Sequence, residues 1–448
     1  MSPRPASARR APAGEDGQPL KLAVVVQRYG ADINGGAELH ARYIAERLSA
    51  HAEVRVLTTC AHDYVTWRNE LPAGEERVNG IPVERFPVAH ERDEEDFGRR
   101  SACVFDAVHS IEDEIRWLDS EGPASKALVT RLERAGDEFD FVLLFSVRYY
   151  HAYHGARALA DRALLVPTAE REPSLGLRLF QPIFRGVRGI MYNSFEERAM
   201  IHALASNEHV PGVVVGVGSE VPPSAAPDRA RKKFALDKPF IVYVGRIDAN
   251  KGCPELFDHF LAYQERTARP LDLVLIGRAV IDLPEHPRIR HLGFVSDADK
   301  FDVMAAAELL VMPSYFESLS MVALESWALG RPVLANAHCD VLVGQCLRSN
   351  GGLYYEDAAE FGAALDVLLD TPGLARALGS NGRTYFERYY RWPVIEHRYL
   401  DMFNQLTSTP PSHRMEPLPG WFARRARNVP PSRSLVDAIP AGPVTRTP

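Results

Sequence analysis

Apolar runs without polar alternation recur along this chain. KLAVVVQRY (21–29) is the first. Such a run suits a strand covered on both faces. A polar, glycine-bearing loop follows, then GAELHARYIAERLSA (36–50) with apolar residues at helical spacing, then AEVRVLTTC (52–60) as a second strand. Strand–helix–strand order predicts a parallel sheet. FDFVLLFSV (139–147), ALLVPTAE (163–170) and GIMYNS (189–194) repeat the theme. VPGVVVGVGSEVPPSAAPD (210–228) ends in a Pro/Ser/Ala stretch that reads as a linker.

A second series starts at PFIVYVGRI (239–247) and continues through LDLVLIGRA (271–279), IRHLGFV (289–295), ELLVMPS (308–314) and RPVLAN (331–336). The pattern predicts an α/β chain of two doubly wound, Rossmann-like domains, 21–218 and 237–390, joined by a linker over 219–236. Residues 391–408 read as a terminal helix. Ligands of such sheets bind beyond the carboxyl ends of the strands, so the cleft between the domains is the expected site.

Composition narrows the field. The chain has 448 residues, 46% of them hydrophobic, and a net charge of −7, which gives no basic excess for a nucleic-acid partner. Its five cysteines are scattered without a CxxC pair, so a disulfide framework or zinc site is not expected and a reducing, cytoplasmic setting fits. No apolar stretch is long enough to span a bilayer. The first 20 residues and the proline-rich 409–448 read as a disordered leader and tail. Within the tail, WFARRAR (421–427) joins aromatics to arginines, the composition of a peripheral contact with an anionic membrane. A tail without a partner fits the same residues. The sequence carries no signal for an oligomeric state.

Three segments carry candidate chemistry. GRIDANKG (245–252) sets Arg246 and Lys251 five residues apart in a loop that opens toward a helix. Helix-start amides and two cations make a cradle for a diphosphate, with Gly245 at the strand end; a solvated basic loop is the plain alternative. In NGGAE (34–38), Gly35 and Gly36 would let backbone approach a ligand, although a simple turn needs glycine too. ESLSMVALE (317–325) places Glu317 at a loop–helix junction. The amides around Ser318, Leu319, Ser320 and Met321 crown the helix, which is expected to begin near Ser318. Glu325 lies about 10–12 Å further along the axis, on the core face. His151 and His154 have metal-compatible spacing but no third ligand, so no metal site is expected. The glycines of RSNGGLYY (348–355) read as a turn at the rim.

Taken together, GRIDANKG and ESLSMVALESWALGRPV resemble the retaining GT-B-fold glycosyltransferases of family 4. The resemblance extends over most of residues 21–400, through NGGAE, VPTAEREP (166–173), YNSFEER (192–198) and VVVGVGSE (213–220). It implies that Arg246 and Lys251 bind the donor diphosphate, that Glu317 holds donor-sugar hydroxyls and that Glu325 binds the ribose. It implies a nucleotide-sugar donor and a glycan or lipid-linked acceptor. It further implies sugar transfer in cell-surface polysaccharide or glycolipid synthesis, at the inner face of the membrane. With the two cations stabilising the leaving group, neither a cofactor nor a metal is expected. Ser318, Ser320 and Val322 stand where the family more often has glycine, glycine and proline. Glu170 stands where the family commonly has histidine facing the donor sugar. A carboxylate there can read sugar hydroxyls, steady developing positive charge, or mark a repurposed site. A sugar-nucleotide epimerase of the same architecture, or a non-catalytic glycan- or nucleotide-binding protein, remains the alternative.

Overall fold

The computed structural model describes residues 18–33, 35–411 and 414–416. The leader before residue 18 and nearly all of the tail, including the WFARRAR segment, lie outside the described residues. The first sheet has eight strands in the order β3-β4-β2-β1-β5-β6-β7-β8. These are β1 (Lys21–Val25), β2 (Glu53–Thr59), β3 (Gly74–Val78), β4 (Ile81–Phe86), β5 (Phe141–Phe145), β6 (Ala163–Val166), β7 (Gly189–Tyr192) and β8 (Gly212–Val214). Among the described strands of this sheet, the β3–β4 hairpin is the antiparallel pair. Its Asn79–Gly80 turn has both residues at positive φ, 49° and 84°, the geometry of a two-residue hairpin.

The second sheet is parallel, in the order β11-β10-β9-β12-β13-β14. Its strands are β9 (Phe240–Val244), β10 (Asp272–Ile276), β11 (Ile289–His291), β12 (Leu310–Met312), β13 (Val333–Asn336) and β14 (Gly352–Tyr355). β1, β5 and β9 are buried along nearly their whole length because helices cover both faces, as continuous apolar runs require.

Three expectations are corrected. The stretch expected as linker contains a helix, Pro227–Phe234, with Pro227 in its first turn and Ala230 buried. It packs on the Asp297–Ala306 helix, where Arg229 pairs with the buried Asp302, and so forms part of the second domain. Residues 352–355 are the edge strand β14, paired with β13, not a turn. The described residues also reach past both expected ends. Leu20 is buried and its carbonyl accepts from the Glu53 amide (2.8 Å), while Met415 packs beside Gly186.

The terminal helix, Trp392–Thr407, lies on the first domain. Phe403 stacks on Phe141 at 5.5 Å and Arg398 donates to the Val215 carbonyl at 2.8 Å. Buried side chains of both domains and of this helix form one continuous apolar cluster. The carboxyl ends of both sheets meet across the cleft beside it.

Candidate functional site

The second domain supplies the cationic wall. β9 and β10 run in register, and their ends approach so closely that a Cβ on Gly277 would come within 2.0 Å of the Gly245 carbonyl oxygen. The loop after Gly245 is shaped by Asp248, which pairs with the Arg246 guanidinium and accepts from the Lys251 amide at 2.8 Å. Gly252 then enters the Cys253–Arg266 helix at φ 71°. A side chain there would come within 2.2 Å of the Pro313 carbonyl, so only glycine lets the loop lie against the end of β12.

These constraints aim Lys251 at Glu317, with Nζ and Oε1 2.9 Å apart. Burial alone would lower the Lys251 pKa, but the carboxylates of Glu317 and Glu170 outweigh it and hold the ammonium firmly charged. Arg246 reaches across the cleft, donating through Nη1 to the Tyr64 hydroxyl at 2.9 Å.

The Met321–Ala328 helix starts three residues later than expected, because Ser320 caps it and accepts from the Ala323 amide at 3.3 Å. Leu319 and Ser320 are buried, and Ser318 accepts from Asn193 of the first domain at 3.3 Å. Glu325 is buried, as the core-face position predicts. The protein itself meets part of its charge: Oε1 accepts from Ser219 at 2.8 Å and from Lys300 at 3.1 Å. Among the described residues its Oε2 has no hydrogen-bond partner, so the buried carboxylate keeps one acceptor for a ligand hydroxyl.

The first domain supplies the acidic wall. β6 ends at Val166, and the chain turns through Thr168 at φ 46° before Glu170. Ser146, after β5, is also left-handed at φ 62°, and the Thr168 hydroxyl donates to it at 3.0 Å. Two non-glycine residues in this region mark a strained pair of strand ends at the cleft. Behind Glu170 lies Glu197, fully buried, accepting from the Ala169 and Asn193 amides at 2.6 and 2.5 Å. Burial pushes the Glu197 carboxyl up to about 8 despite those bonds. Burial likewise raises Glu170 to about 7, with Lys251 opposing and Glu317 and Glu172 adding to the rise. Glu172 pairs with Arg148, which also lies 2.7 Å from the buried Glu121.

Glu170, Lys251, Glu317 and Arg246 therefore meet in one place, whereas Glu325 occupies a separate pocket with Ser219 and Lys300. Gly35 caps the Gly36–Leu48 helix, and a Cβ there would come within 2.1 Å of Oε2 of Glu38, a side chain held through its Oε1 by the buried Arg28. Gly36 faces open space. Tyr64, Asp248, Glu197, Ser219 and Lys300 were missed in the sequence. Asp248 lies within GRIDANKG, Glu197 within YNSFEER and Ser219 within VVVGVGSE, but no role was read for them there. His151 is buried and bonds the Phe145 carbonyl at 2.9 Å, a structural role. Among the described residues no group of three or more His, Cys, Asp or Glu is arranged to hold a metal ion, and no helix is long and apolar enough to cross a membrane.

Two Rossmann-like domains facing across such a cleft are the GT-B architecture. Sucrose-phosphate synthase from Thermosynechococcus elongatus superposes with a TM-score of 0.60 at 18% identity, covering 86% of this chain and 99% of that one. HepE of Anabaena, solved in complex with UDP, gives 0.62 at 15% identity, covering 86% and 100%. Residues 238–371, within the second domain, match the family model of glycosyl transferases group 1.

Among curated relatives, D-inositol 3-phosphate glycosyltransferase of Frankia alni is 28% identical over 78% of this chain and 89% of its own length. MMP alpha-(1->4)-mannosyltransferase of Mycolicibacterium hassiacum is 30% identical over 29% of this chain and 34% of its own length. Alpha-D-kanosaminyltransferase of Streptomyces kanamyceticus is 30% identical over 34% and 42%. The chain thus spans about a third to two fifths of the length of these last two relatives.

Proposed function

We propose that the protein is a retaining glycosyltransferase that moves a sugar from a nucleotide-sugar donor to the hydroxyl of a glycan or lipid-linked acceptor. The observation that carries this reading is the Lys251–Glu317 pair at the start of the Cys253–Arg266 helix, with Arg246 on the same loop and Glu170 opposite. The named activities of the similar proteins, and the UDP bound to HepE, support a nucleoside-diphosphate sugar as donor.

In this reading Arg246, Lys251 and the helix-start amides receive the charge that grows on the departing diphosphate. Glu317 fixes sugar hydroxyls while its negative charge keeps Lys251 oriented. The free oxygen of Glu325 takes a ribose hydroxyl. Glu170, titrating near neutrality, reads a further sugar hydroxyl as donor or acceptor. The leaving phosphate accepts the proton of the incoming hydroxyl on the same face, which retains configuration. The cations carry the leaving-group charge, so turnover is expected to survive EDTA.

The test is incubation with a panel of nucleotide sugars, with and without candidate acceptors, followed by NMR of the first product. Acceptor-dependent release of nucleoside diphosphate with a retained anomeric linkage is expected. An inverted linkage, or no nucleotide sugar bound, would reject the reading.

A further inference from the structure

A cavity of about 700 Å³ opens beside Glu317 and runs outward between the two domains. Its walls are Leu175, Met200, Ala203 and Leu204 from the first domain and Tyr315 and Phe316 from the second. Leu204 and Phe316 stay 38% and 43% exposed, so the groove leaves apolar surface wet at its mouth.

Its arginine and most of its carboxylates are paired within the protein. Arg171, the one arginine or lysine on the wall, pairs with Asp340 at 2.6 Å. At the inner end Glu172 pairs with Arg148 and Glu317 with Lys251. Among the described residues no arginine or lysine of the wall is left unpaired to bind a phosphate or carboxylate. What remains is an apolar channel of ligand size whose inner end touches the proposed sugar site.

We propose that this groove binds the apolar aglycone, alkyl or aromatic, of the acceptor, so that the accepting hydroxyl lies at Glu317. The role as acceptor subsite rests on the glycosyltransferase reading. The occupant follows from continuity: a chain that fills the groove must end at the reacting end of the cleft. Covering Leu204, Phe316 and Met200 supplies the driving force, which grows with each methylene buried.

The probes are methyl and octyl β-D-glucoside, the latter below its micelle concentration, titrated by calorimetry into the full chain. Octyl glucoside should bind at least tenfold more tightly than methyl glucoside. Ala203→Trp, on an exposed turn of the Phe195–Ala205 helix, should fill the groove and abolish that difference while nucleoside diphosphate affinity stays unchanged. Met200→Ala, which removes apolar wall, should reduce the difference and covers the case that the tryptophan variant does not fold. Equal affinity of the two glucosides in the parent, with nucleoside diphosphate still bound, would overturn the groove and leave the donor reading standing. Failure of the parent to bind nucleoside diphosphate would overturn the donor reading, and with it the acceptor role. Concentration-dependent self-association that Ala203→Trp abolishes would overturn the proposal in favour of a second copy of the chain.

Discussion

On the second-domain wall of the cleft, Lys251 meets Glu317 at 2.9 Å and Arg246 meets Asp248, so each cation has a carboxylate beside it. On the first-domain wall, Glu170 and Glu197 are driven up to about 7 and 8 by burial, and Glu170 adds to the rise of Glu197. One wall is organised before a ligand arrives; the other carries electrostatic stress that a ligand can relieve. A site can hold such stress when the surrounding fold over-determines it. Here the Ala169 and Asn193 amides pin Glu197, and the strained Ser146 and Thr168 fix the strand ends.

Removing the organising cation should give the largest effect. Lys251→Ala should cost on the order of 3–4 kcal/mol in kcat/KM, because it removes charge stabilisation from the leaving group. It also leaves Glu317 and Glu170 facing each other with no cation between them. Steady-state kinetics with calorimetry of nucleoside diphosphate binding checks this. Unchanged turnover and affinity would erase the difference between the walls.

Relieving the stressed wall should act in the opposite direction, on stability. Glu170 has a folded pKa of about 7, above its ordinary 4.5. Its contribution is therefore fully present below pH 4.5 and is lost as pH rises through 7. Ionisation in the fold costs up to about 3 kcal/mol at the upper end of that window. Glu170→Gln never ionises, so its stability relative to the parent should rise by about 2.5 kcal/mol between pH 5 and pH 8. Urea unfolding at the two pH values measures it. A constant difference would mean that Glu170 is not stressed.

The asymmetry between the walls matches how much of each was legible. Local spacing carried the second-domain wall: GRIDANKG holds both cations and Asp248, and ESLSMVALE holds both glutamates. The two sheets were legible too, because strands buried on both faces write continuous apolar runs. The β3–β4 hairpin was missed although Asn79–Gly80 announces it, since its exposed residues break the apolar pattern. The edge strand β14 was missed because its glycines mimic a turn; Gly352 is required there, as a Cβ would come within 2.2 Å of the Val333 carbonyl. On the first-domain wall Glu170 stood out only as a departure from a resemblance. Its stress depends on burial and on Lys251 and Glu317, at sequence separations that no local pattern reports.

Glu325 tests the second-domain wall at its far end. Glu325→Ala should weaken nucleoside diphosphate binding by about 2 kcal/mol, the value of a hydrogen bond to a charged group. Turnover at saturating donor should stay near the parent's, because the ribose is held alike in ground and transition states. Loss of turnover with unchanged affinity would instead assign Glu325 to the organisation of Ser219 and Lys300.

The smallest expected effect lies where the two walls touch. Tyr64 presents its ring and hydroxyl to the cleft from the first domain, and its oxygen accepts from Arg246 Nη1 at 2.9 Å. Arg246 also packs over the ring, 5.4 Å from its centre, and Arg28 does so at the same distance. A guanidinium has five N–H groups. Asp248 takes the one on Nε and Tyr64 takes one on Nη1, which leaves three for phosphate oxygens. Tyr64 therefore orients the guanidinium without exhausting it. Tyr64→Phe keeps the ring contact and removes only the acceptor, so nucleoside diphosphate affinity should fall by about 1 kcal/mol, the net worth of one hydrogen bond. Calorimetry of parent and variant resolves the sign. Tighter binding in the variant would show that Tyr64 competes with phosphate for Arg246. The first-domain wall would then be a block on the organised one rather than part of its organisation.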